Sequence, residues 1–182
     1  MKNQAFTLIE LLVVILIIAI LAAIAVPKYQ KAVLKSHFSG LFINDSAIVR
    51  SLERYYLANG VYPTTLEDID IEIGGCTTST SSISCAEAIY YYYNHKHENE
   101  KMETFIMGIL KNRLGLAHIY YTKNNPLYPD RAGRQWCRAD SGNEIANQIC
   151  QSMRGSPDGV SDFYGAGNTK SGWWNKYKLP RS

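Results

Sequence analysis

The first 75 residues contain no cysteine, and nowhere does the chain contain a CxxC pair or a close Cys-His pairing. That pattern excludes an ordinary zinc site. The nucleophile elbow G-x-S-x-G, a P-loop and HExxH are also missing, so the common hydrolase, nucleotide-binding and zinc-protease signatures do not apply. Charge is sparse and nearly balanced, at +3 over 182 residues. Concentrated positive charge of the kind that alone argues for nucleic acid is absent. Charge therefore names no partner. Most conspicuously, no polar residue occurs between Leu11 and Val26.

That last absence sets the first conclusion. As a helix, the 21 positions from Phe6 to Val26 cross a hydrocarbon core about 30 Å thick. Lys2 precedes the run, and Lys28, Lys31 and Lys35 follow it. The positive-inside rule alone would place the C-terminal side in the cytoplasm. The four cysteines, Cys76, Cys85, Cys137 and Cys150, suit two disulfides in an oxidising compartment and point the other way. Export of the larger part then needs a route in which loop charge does not decide topology.

Three readings of the run compete. A cleaved signal peptide would end at Ala23-Ile24-Ala25, before Val26. A plain signal anchor accounts for the length but not for Glu10, a carboxylate that costs roughly 2.5–3.5 kcal/mol near a membrane-helix centre and has no evident partner in its own segment. In the third reading Glu10 is there to be neutralised.

The stretch Phe6-Thr7-Leu8-Ile9-Glu10-Leu11-Leu12, followed by a Val/Ile/Leu/Ala run and Pro27, resembles the N-terminus of type IV pilins and pseudopilins. The resemblance implies a leader of residues 1–5, cleavage between Ala5 and Phe6 by a prepilin peptidase, and N-methylation of Phe6. It also implies that Glu10 serves processing and subunit docking. The family usually has Gly before the cut; Ala5, the next smallest residue, stands here and bears on cleavage efficiency. The chemistry runs parallel. A freed α-amine is largely cationic at neutral pH, and Glu10 of a neighbouring subunit can neutralise it, so two costly groups satisfy each other only when subunits stack in register.

Beyond the run, Pro27 removes a hydrogen bond from an otherwise continuous helix and predicts a kink or local melt. Residues 27–58 read as an amphipathic continuation. Val33, Leu41, Ile48, Leu52, Tyr55 and Tyr56 recur at near-helical spacing, with Lys31, Lys35, Asp45, Arg50, Glu53 and Arg54 largely between them. Gly40 is its weak point. Asn59-Gly60 and Pro63 supply the stop. A helix from Phe6 to about Ala58 would be roughly 80 Å long.

Residues 59–182 should form an αβ-loop, a small antiparallel sheet and a disulfide-closed C-terminal region. Thr64-Thr65-Leu66-Glu67 matches a capping box, and a Gly/Ser/Thr-rich loop follows. Strands are expected at Ile89–Tyr93, Thr104–Leu110, Leu116–Thr122 and Gln135–Arg138, with a hairpin loop at 111–115. Ser141-Gly142-Asn143-Glu144 should cap a short helix with Ile145, Ile149 and Met153 on one stripe. Four cysteines allow three pairings, of which proximity favours Cys76–Cys85 and Cys137–Cys150. The glycine-containing tail from Arg154 reads as a loop held down by its aromatics, or as a contact surface for subunits, host surfaces or DNA. The fold class is α+β, a long helix packed on an antiparallel sheet, which the pilin resemblance implies as well.

Two candidate chemical sites are weak. His95 and His97 form an H-x-H pair that reads as a solvated turn, and Asp158 and Asp162 supply too few ligands for a calcium loop. The expectation is therefore no enzyme, no cofactor, no metal and no catalytic residue. The function read is a structural filament subunit, held in the inner membrane before assembly and in an extracellular or periplasmic filament afterwards. Its partners would be identical or homologous pilin subunits, a prepilin peptidase and the assembly platform, with any surface or DNA ligand unknown. The alternatives are a secretion or competence pseudopilin and, from another class, a membrane-anchored extracytoplasmic binding domain.

Overall fold

The computed structural model describes residues 7–96, 102–111, 115–163 and 172–180. Helix α1 runs over Leu8–Asn59, unbroken at both Pro27 and Gly40. It ends where Gly60 takes a positive φ of 75° and donates its N–H to the Tyr56 carbonyl. A residue without Cβ adopts that left-handed conformation at no steric cost. Two compact units divide the chain, Met1–Ser36 and His37–Ser182, so the boundary falls within α1.

In the second unit, a 3-10 turn (Leu66–Asp68) leads into eight strands: β1 (Thr77–Thr78), β2 (Ser82–Ser84), β3 (Ala88–Lys96), β4 (Met102–Leu110), β5 (Leu116–Tyr121), β6 (Gln135–Asp140), β7 (Ser156–Phe163) and β8 (Gly172–Lys178). Helix α2 (Glu144–Ser152) lies between β6 and β7 in sequence. All pairings are antiparallel, in the order β1-β2-β3-β4-β5-β6-β8-β7. The α+β class and the four expected strands are present, and the sheet is larger than the sequence implied.

Three local readings need correction. The tail is not a loop: it forms β7 and β8, and β8 inserts beside β6. Pro157 sits in β7, at the sheet edge, where a missing N–H is tolerated. Both expected capping boxes are displaced. At the 3-10 turn the Asp68 carboxylate accepts from the Thr65 backbone N–H and hydroxyl, rather than Glu67 from Thr64. For α2 the cap is Asn143, whose side chain accepts from the Ala146 N–H, rather than Ser141. The α2 residues buried are Ala146, Ile149 and Cys150, while Ile145 is half-buried and Met153 lies past the helix end. The Ser/Thr-rich loop also carries order of its own, in β1 and β2. The expected hairpin loop at 111–115 falls partly outside the described residues.

Strand alternation gives the sheet two distinct faces. One carries Tyr90, Tyr92, Ile106, Gly108, His118, Gln135 and Cys137, and it packs against the His37–Asn59 part of α1 through Phe38, Leu41, Ile48 and Leu52, all buried. Burial of each such side chain stabilises the packing by about 1.5–3 kcal/mol. Helix α2 joins the same face, since Cys150 is bonded to Cys137 at an Sγ–Sγ distance of 1.93 Å and Asn147 accepts from the Tyr177 hydroxyl. A second bridge, Cys76–Cys85 at 2.01 Å, closes the segment holding β1 and β2. The opposite face carries a row of rings across four strands, Tyr93, Phe105, Tyr121 and Trp136, with successive centroids 4.6, 5.0 and 5.3 Å apart.

Candidate assembly segment and a buried carboxylate clamp

The first candidate site is the start of α1. From Leu8 to Val26 almost every side chain is exposed in the single chain, with Leu8 at 82% and Leu21 at 62%. The helix is long and apolar enough to cross a membrane, and its most apolar window makes no burial contact within the chain. Leaving so much apolar surface in water is unfavourable by about 25 cal/mol per Å². This surface requires lipid or other helices.

Glu10 is the one carboxylate in that stretch, and it does have a partner in its own segment, contrary to the expectation from sequence. Its Oε2 accepts from the Thr7 backbone N–H at 2.9 Å and from the Thr7 hydroxyl at 2.6 Å. The Glu10 N–H in turn lies 3.3 Å from Thr7 Oγ1. These are the reciprocal bonds of a capping box, and they place an acidic group on the first turn, where the helix dipole favours negative charge. Thr7-x-x-Glu10 is itself the sequence pattern for such a cap, a local signal that the reading of Glu10 as a membrane and docking charge passes over. Both Thr7 donors converge on Oε2; Oε1 has no recorded partner among the described residues. Ala5 and Phe6, the expected cleavage and methylation positions, lie outside the described residues. Pro27 is inside the helix.

The second site was missed. Asp45 belongs to the buried stripe of α1 rather than its polar side: Phe38, Leu41, Asp45, Ile48 and Leu52 follow one another at spacings of three and four. Its Oδ2 stands 2.7 Å from His118 Nδ1 on β5, and both side chains are fully buried. His118 Nε2 lies 3.2 Å from Gln135 Oε1 on β6. Burial pushes the Asp45 carboxyl above its ordinary range, while His118 and the Gly108 backbone amide pull it back down. Asp45 Oδ1 is buried without a hydrogen-bond partner. Gly108 makes the approach possible, since a Cβ there would stand 2.5 Å from Asp45 Oδ2. One carboxylate thereby ties the helix to two strands. A charged residue in an apolar 3-4-3-4 stripe was the available signal.

The weaker candidates remain dispersed. His95 is exposed on β3, with its ring 5.8 Å from Tyr93, and His97 lies outside the described residues. Asp158 accepts a 2.7 Å hydrogen bond from the Trp136 indole N–H. Among the described residues no group of three or more His, Cys, Asp or Glu is placed to hold a metal ion.

Comparison with known proteins bears on the first site. The family model for the prokaryotic N-terminal methylation motif matches residues 1–26. The chain carries a type IV pilin-like N-terminus. Fimbrial protein EcpC of Eikenella corrodens is 47% identical over 61 residues, 34% of this chain and 40% of that protein. Type IV major pilin protein PilE of Neisseria gonorrhoeae is 38% identical over 61 residues, 34% of this chain and 36% of that one. A fimbrial protein of Neisseria meningitidis serogroup A is 38% identical over 62 residues, 34% and 36% of the two chains. The aligned segment thus spans 40% or less of these relatives. No solved structure matches. The pilin-like N-terminus and an α+β head whose sheet packs on the helix continuation are therefore joined in one chain.

Proposed function

We propose that this chain is a structural subunit of a type IV pilus or a related pilus-like filament. It is held in the inner membrane by the first half of α1, cleaved between Ala5 and Phe6 by a prepilin peptidase, N-methylated at Phe6, and moved into the filament by the assembly platform. The carrying observation is the combination in α1 of an exposed apolar surface with one carboxylate held by Thr7. Packing identical helices side by side buries that surface. The Phe6 amine of one subunit, still cationic after methylation, then pairs with Glu10 of another.

Thr7 gives this docking a geometric basis. With both of its donors on Oε2, the carboxylate is oriented before assembly and Oε1 is left for the incoming amine. Pro27 lets the helix bend as the apolar half leaves lipid for the filament core. The head, closed by its two disulfides, is what the filament displays outside the cytoplasm.

Intact-mass and N-terminal mass spectrometry of the mature chain tests the processing step. An N-methylated Phe6 N-terminus is expected. A chain beginning at Val26 would instead mean a secreted protein delivered by a cleaved signal, and one retaining residues 1–5 would mean a permanently anchored domain.

A further inference from the structure

The open face of the sheet holds a cavity of about 230 Å³ where β5, β6 and β8 meet the 130–134 segment. Register builds it from residues far apart in sequence. Trp136 faces Ile119 on one side and Lys178 on the other, and Arg138 faces Lys176. Arg131 and Arg134 close the rim. Five cations thus line the cavity with two carboxylates, Asp130 and Asp158, and Arg131 also stands 3.8 Å from the Glu103 carboxylate.

Several of these groups are committed within the protein. Arg131 donates to the Tyr121 hydroxyl at 3.1 Å and lies 4.0 Å from the centroid of the Tyr128 ring. The Asp158 carboxylate takes the Trp136 N–H. The charge of Arg134, Lys176 and Lys178 is poorly compensated. Arg134 Nε is buried with no hydrogen-bond partner, and no ion pair is recorded for Arg134, Lys176 or Lys178 among the described residues. Gathering like charges in a half-enclosed space is costly unless an anion completes it.

We propose that this cavity is a binding site for a phosphate-class oxyanion carried as a monoester. Converging guanidinium and ammonium groups, of which Arg134, Lys176 and Lys178 have no ion pair among the described residues, suit a dianion with several acceptor oxygens better than a carboxylate, which one arginine satisfies. The volume leaves room beside the oxyanion for a short carbon group against Ile119, Tyr121 and Trp136. This site is independent of the assembly role of α1.

The test is isothermal titration calorimetry of the full-length protein in non-ionic detergent, with inorganic phosphate in one arm and glycerol 1-phosphate in the other. Saturable binding at one site per chain is expected, tighter for the ester and weakened by added salt. Arg134→Gln should weaken it about tenfold, the loss of one charge-assisted hydrogen bond. Asp158→Asn should tighten it while preserving an acceptor for Trp136. If Arg134→Gln fails to fold, the Lys176→Gln/Lys178→Gln pair at the half-buried wall carries the same expectation. Inorganic phosphate binding more tightly than the ester would overturn the monoester assignment. No saturable heat in either arm, or unchanged affinity in the folded variants, would overturn the site altogether.

Discussion

Glu10 and Asp45 are two carboxylates on apolar stretches of one helix, and they differ in where their partners come from. Asp45 is fully buried and meets His118 and Gly108 of its own chain. Glu10 is exposed and, among the described residues, held only by Thr7 in its own first turn, with one oxygen unclaimed. A charge neutralised within the chain specifies how the head closes on its helix. Under the proposed function, a charge awaiting a second chain specifies how subunits stack. Both use the same physical device, an ionisable group whose desolvation is tolerable in only one arrangement, at different levels of organisation.

Substitution should separate the two. The largest effect expected is on assembly: Glu10→Leu should reduce incorporation of the subunit into filaments to background in sheared-filament blots, with the melting temperature of the head unchanged. Asp45→Ala should do the reverse in kind, destabilising the head by about 3–5 kcal/mol in denaturant titration by removing one member of a buried pair. Gly108→Ala should cost about 1–3 kcal/mol, since its methyl would displace the Asp45 carboxylate. Asp45→Ala combined with Gly108→Ala should then cost less than the sum.

The smallest effect is alkaline. Burial raises the phenols of Tyr62 and Tyr90 from 10.0 to about 12, and raises Tyr92 further. In the unfolded chain these phenols ionise near their ordinary value, whereas in the folded head they stay protonated. The folded state therefore binds more protons in that window, and stability should fall as pH rises from 10 toward 12. Urea midpoints at stepped pH would show the decline. Tyr92→Phe removes one titrating phenol together with its bond to the Pro63 carbonyl and should flatten the slope.

What was legible in the chain was local. The apolar run, the Asn59-Gly60 stop and the strands around Tyr90, Ile106 and Ile119 follow from patterns that neighbouring residues set on their own. The clamp was not legible in that way, because Asp45, His118 and Gln135 each resemble surface residues until strand pairing brings them together. Its trace was Asp45 occupying a core position between Leu41 and Ile48. The tail was misread because its glycines and polar residues mask a strand that pairs with β6, skipping α2 and β7. That crossover also sets Lys176 and Lys178 beside Arg138 and Trp136, a juxtaposition no linear pattern carries. Glu10 was found for its charge and Thr7 was overlooked, although only Leu8 and Ile9 stand between them.

The most direct test of the division between the two carboxylates is the distance from Glu10 to the nearest α-amine in an assembled filament at side-chain resolution. The account predicts a Glu10 carboxylate oxygen within about 4 Å of the methylated Phe6 nitrogen of a different subunit. A Glu10 carboxylate that contacts only its own Thr7 in the filament, with every Phe6 amine elsewhere, would contradict it.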